Sequence, residues 1–188
     1  MKKTETWQEI RDGTPCSLPL HPPLRSLIRQ RSPVTLVNVV EQFDVEHCPR
    51  YQPIRGVTWC NIFLWDVTSA LDCEIPHWIN EDRKICAPGS GRELSANGTI
   101  SWLENVGAKH GWTPATTEQA RHVAGLGCPV VACWANAGGH GHVAIVLPSD
   151  EAPADLRIAQ AGRVCFCGDT LSRGFGSHVS DVGFWVHQ

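Results

Sequence analysis

No apolar run in the 188-residue sequence approaches the roughly 18 uninterrupted residues of a membrane-spanning helix, so no membrane partner is expected. The opening residues, MKKTETWQEIRDGTPCSLPLHPP, follow two lysines with polar and acidic groups and hold no continuous apolar stretch. A Sec-type leader is therefore not expected, and the chain reads as one made in the cytoplasm, carried or released by other means if it acts at a cell wall. Charge of one sign is also scarce: the formal net charge is −3, which gives no overall electrostatic reason to bind nucleic acid. Paired CxxC spacing is missing as well. The nine cysteines (16, 48, 60, 73, 86, 128, 133, 165 and 167) are odd in number, and without a leader they read mainly as buried free thiols. Cys165-x-Cys167, Cys128-x4-Cys133 and His140-x-His142 do not make a zinc-ribbon pattern. No metal and no cofactor are expected, and a zinc-binding, non-enzymatic module is the minor alternative.

What is present is an ordinary globular balance, 42% hydrophobic and 19% charged, long enough for one core and showing no internal repeat. Residues 1–31 are rich in proline, polar and basic groups and read as an extension or wrapping arm; 32–188 read as a single domain. Ser32-Pro33 is a helix start, with Val34, Val37, Val40 and Phe43 expected to face the core. Cys60–Leu71 lacks Gly and Pro and is apolar in helical register, with Thr58 as its expected cap. Residues 72–96 read as loop, Leu94–Val106 as a helix, and Thr116 with Gln119 as the capping box of a short helix ending near Gly125. The period then changes: PVVACW (129–134), HVAIVL (142–147), LRIAQ (156–160) and VGFWV (182–186) are short β-rich runs. Helices followed by an antiparallel sheet make the expected class α+β.

One thiol has a context the others lack. Cys60 falls in the first turn of a predicted helix, after a Gly-containing loop, where unsatisfied N–H groups favour a thiolate. A thiol nucleophile needs a base and a group to orient that base. Gly138-Gly139-His140-Gly141-His142 runs directly into an apolar strand, which places His142 at a rigid strand entrance and leaves His140 in the turn. The following strand is positioned to bring Gln160 beside the imidazole. Trp59 and Trp134 flank the two motifs and are the candidates for lining a cleft; the remaining tryptophans of the eight fit core patterns better than a carbohydrate platform. Asp66, Glu93 and Glu104 show no spacing that would define a glycosidase pair.

WCNIFLWDV followed by GHVAIV resembles the papain-like amidases and endopeptidases that include the CHAP and NlpC-type peptidoglycan hydrolases, over roughly residues 45–165. The resemblance implies a papain-like fold with N-terminal helices packed on a small antiparallel sheet. It assigns Cys60 as nucleophile, His142 as base and Gln160 as the third polar residue, with Tyr51, the sole tyrosine, in the loop that commonly supplies an oxyanion donor. It further implies hydrolysis of an amide or peptide bond in peptidoglycan peptides, as in a phage or prophage lysin or a delivered toxin. A cysteine peptidase or amidase with a non-wall substrate is the alternative. The sequence departs from the NlpC-type Asp-Cys-Ser in having Trp59-Cys60-Asn61, and from CHAP domains in having Gln at the third position.

Overall fold

The structure is a computed structural model that describes residues 17–149 and 155–188. The leader reading, Cys16 and the first half of the proposed arm lie outside the described residues. Helix α1 spans Pro33–Glu41, with the Ser32 hydroxyl accepting from the Thr35 N–H at 3.1 Å and proline at the first position, where it has no N–H to lose. Its inward face differs from the expected one. Leu36, Val39, Val40 and Phe43 are buried while Val34 is 68% exposed, because the i, i+3, i+4, i+7 stripe begins at Leu36 and Val34 lies off it.

Helix α2 is Cys60–Ala70, and nine of its eleven residues are buried, so it is a core element with almost no solvent face. Trp59 rather than Thr58 is its N-cap residue, and no side chain caps it. Helix α3, Ala96–Val106, starts at Ser95, whose hydroxyl accepts from the Gly98 N–H. Helix α4, Thr117–Gly125, has the expected capping box, with Gln119 N–H to Thr116 Oγ1 at 3.2 Å and Thr116 N–H to Gln119 Oε1 at 2.8 Å. A short α5 covers Leu171–Phe175.

Residues 72–96 contain a small antiparallel ribbon, β1 Trp78–Ile79 with β2 Arg92–Glu93. A six-stranded sheet is formed from β3 Trp112–Ala115, β4 Val130–Trp134, β5 His142–Val146, β6 Arg157–Gln160, β7 Phe166–Thr170 and β8 Gly183–His187. Its order is β3-β8-β4-β5-β6-β7, antiparallel throughout, so the fold is α+β. Four of these strands match the apolar runs in the sequence; β3 and β7 do not announce themselves. Strand β3 carries Pro114 and lies on a sheet edge, where a missing N–H is tolerated. Strand β7 contains Gly168 at φ +93°, beside the register shift between Ile158 and Ala159, and this bulge lets Gln160 pair with Phe166.

Both faces of the sheet are covered. Val131, Cys133, Val143, Ile145 and Ala159 pack with residues of α1, α2 and α3, while Val130, Ala132, Ala144, Val146 and Ile158 pack with α4 and α5. That double burial is why the central strands read as continuous apolar runs rather than alternating ones. Extended residues N-terminal to α1 lie along α2: Ser26 N–H donates to the Ala70 carbonyl at 2.9 Å, and Arg25 donates to the Ser69 carbonyl.

Candidate active site

Cys60 opens α2 and is 3% exposed. The loop before it contains a two-residue hairpin turn, Arg55-Gly56 (φ +51° and +84°), closed by reciprocal bonds between Ile54 and Val57. With no side-chain cap at Trp59, the first-turn N–H groups remain available to the sulfur. Burial pushes the Cys60 thiol above its ordinary value; the N–H groups of Val143, Asn61 and Cys60 itself pull the other way by stabilising a thiolate. Cys133, the sheet partner of Val143, is raised as well, first by burial and then by the neighbouring Cys60.

His142 is the first residue of β5 and Gln160 the last of β6. Gln160 Nε2 donates to the Val164 carbonyl at 3.0 Å, which turns its Oε1 toward the imidazole. His142 Nε2–H donates to that oxygen across 2.7 Å, so the ring's lone pair is on Nδ1. Burial lowers the His142 pKa, and the Gln160 bond partly offsets this. Phe175 packs against the ring with centroids 4.9 Å apart. Two glycines make room for the pair. An alanine Cβ at 174 would fall 2.6 Å from Gln160 Oε1, and one at 162 would lie 3.0 Å from Gln160 Nε2. Among the described residues no hydrogen bond joins the Cys60 thiol to the His142 ring: Cys60 packs in the cluster that holds Val143 and Cys133, whereas the His142 ring packs on Phe175, which belongs to the cluster on the other face of the sheet.

The three flanking aromatics separate. Tyr51 is fully buried, packs edge-on against Phe43 and Phe63, and donates its hydroxyl to Asp66 Oδ2 at 2.8 Å. Asp66 also receives a bidentate pair from Arg50 at 2.8 and 3.1 Å. The expectation that Tyr51 supplies a cleft donor is therefore corrected: its proton is committed inside a closed ion-pair network. Trp59 is half-buried on the core, with its indole N–H on the Gln52 carbonyl. Trp134, the cross-strand partner of His142, is half-buried and stacks on His178 with centroids 3.8 Å apart. Of the three, Trp134 is the one placed beside the His142 strand position.

Two asparagines not singled out in the sequence border the site. Asn61 Nδ2 donates to the Leu94 carbonyl at 2.6 Å. Asn97 Nδ2 donates to the carbonyls of Asn136 and Gly139, each at 2.9 Å, and its Oδ1 accepts from the Asn136 N–H at 3.0 Å. The only local signals were an asparagine next to the cysteine and one in the first turn of a capped helix. His140 is exposed in the Gly-rich turn. Among the described residues, no three His, Cys, Asp or Glu side chains gather into a group that could hold a metal ion. Among them, too, no helix is long and apolar enough to cross a membrane. In comparison with known proteins, no family model and no curated protein matches the chain.

Proposed function

We propose that this chain is a papain-like cysteine hydrolase that cleaves amide or peptide bonds in the stem or cross-bridge peptides of bacterial peptidoglycan. The observation that carries the reading is the His142–Gln160 bond of 2.7 Å, which leaves Nδ1 as the basic nitrogen on a strand that packs against the Cys60 helix. A helix-starting cysteine packed on an antiparallel sheet, with a histidine and a glutamine from adjacent strands, supports a papain-like fold. The substrate class rests on the resemblance of the WCNIFLWDV and GHVAIV motifs, which also suits a phage or prophage lysin or a delivered toxin.

In the proposed reaction, His142 Nδ1 takes the proton from Cys60 as the sulfur attacks the carbonyl carbon. The Cys60 N–H stabilises the oxyanion as the carbonyl π-pair moves onto oxygen. Collapse breaks the C–N bond, His142 gives its proton to the leaving amine, and water, activated by the same ring, hydrolyses the thioester. Purified peptidoglycan incubated with wild type, Cys60→Ala and His142→Ala, with fragments identified by mass spectrometry, tests this. Peptide fragments are expected from wild type alone. Full activity in Cys60→Ala would end the nucleophile assignment; no wild-type product on the wall, with Cys60-dependent cleavage of another peptide, would move the substrate elsewhere.

A further inference from the structure

The seven residues between β4 and β5, 135–141, include Gly138, Gly139 and Gly141, and so have little side-chain packing of their own to fix the entry of His142. Asn136 ties the loop internally, to the Gly138 and Gly139 N–H groups and the His140 carbonyl, and a further hold comes from outside the hairpin. Asn97, second residue of α3, uses both amide hydrogens on two loop carbonyls and its oxygen on a loop N–H. Contact continues to the residue before His142: a Cβ at position 141 would collide with Asn97 Oδ1 and lie 2.6 Å from the Trp134 carbonyl. On its other side, the start of α3 is tied to the start of α2, because Asn61, the neighbour of Cys60, donates to the Leu94 carbonyl. Ser95, capping Gly98, stiffens the few residues that separate these two anchor points.

We infer that Asn97 is a positioning residue that, in series with Asn61, sets the separation between the Cys60 thiol and the His142 ring. This rests on the cysteine-hydrolase reading above. The brace runs from Cys60 through Asn61, Leu94 and Asn97 to the Gly139–Gly141 backbone and so to His142. A mis-set distance of about 1 Å between reacting groups costs on the order of 100-fold in rate, so a small slackening is visible in kcat. The Asn97 bonds all go to backbone groups of the protein, so the loss is expected in kcat rather than in KM.

Two variants test the inference. Asn97→Ala removes all three Asn97 bonds to the loop and so breaks the brace at that link. Asn97→Asp keeps the volume and the acceptor for Asn136 N–H but cannot donate to the two carbonyls, and it serves if the alanine variant melts early. Both are expected to lose roughly 10- to 100-fold in kcat, with KM changed by no more than about twofold. Asn61→Ala added to Asn97→Ala is expected to cost little more, as two links in series should. A second readout needs no substrate: the pH profile of Cys60 alkylation by iodoacetamide, followed by peptide mapping, should move in Asn97→Ala in the direction it moves in His142→Ala. Wild-type kcat and a wild-type alkylation profile in both Asn97 variants, with His142→Ala altering both, would overturn the inference and leave the hydrolase reading intact. If His142→Ala leaves the alkylation profile unchanged, the base assignment falls and the Asn97 inference falls with it.

Discussion

Gln160 is where the proposed mechanism can be pushed in two directions. Gln160→Leu removes the acceptor for a ring N–H that now donates across 2.7 Å to a side chain 4% exposed. Leaving a buried donor without its partner costs about 1–3 kcal/mol. If that cost is carried into the transition state, at 1.36 kcal/mol per decade it predicts a fall of about 5- to 150-fold in kcat. The pH dependence adds a sign. The Gln160 bond raises the His142 pKa against the lowering by burial, so its loss lowers that pKa further. A base must be unprotonated to act, and the acid limb of kcat/KM should therefore move to lower pH in Gln160→Leu. Gln160→Glu places a carboxylate against the ring, favours imidazolium, and should move the same limb to higher pH. The assay is a kcat/KM profile on one peptide substrate for wild type and both variants, with thermal melts to check folding. A Gln160→Leu enzyme with wild-type kcat, or acid limbs that move the same way in the two variants, would refute the reasoning.

Two further substitutions separate scaffold from site. Asp66→Ala leaves Arg50 buried without its carboxylate and Tyr51 without its acceptor, and breaking a buried pair in this way costs about 3–5 kcal/mol. The melting temperature should then drop by roughly 6–20 °C, as calorimetry would measure. Thr116→Ala removes half of the α4 capping box and should cost about 0.5–2 kcal/mol in denaturant unfolding.

Much of the scaffold is written in local pattern. Helix α2 has no breaker between Cys60 and Ala70, the Thr116–Gln119 spacing states its own cap, and β4 and β5 are apolar runs between Gly and Pro clusters. Strands β3 and β7 escaped because Pro114 and Gly168, ordinarily breakers, are accommodated at an edge and in a bulge. Around the candidate site, Gln160 was legible because two neighbouring strands must bring their ends together. Tyr51 was misread because its hydroxyl partner sits on the Cys60 helix, a pairing no sequence spacing announces. Asn97 was invisible for the same reason, its loop acceptors lying 39 and 42 residues along the chain. Hydrogen-bond partners distant in sequence follow from tertiary packing, and periodicity carries no information about them.

The burial of α2 has a further consequence for how such a site could diversify. A helix with nine of eleven residues in the core offers almost nothing to change without disturbing the packing of the whole molecule. If the proposed hydrolase reading holds, altered selectivity would have to come from the connections around its first turn. These are the Arg55-Gly56 hairpin with its exposed Ile54 and Val57, and the turn after Gln160 with exposed Val164. On the proposed hydrolase reading, chemistry and taste would be held by different parts of the chain, and the second could drift while the first stays fixed.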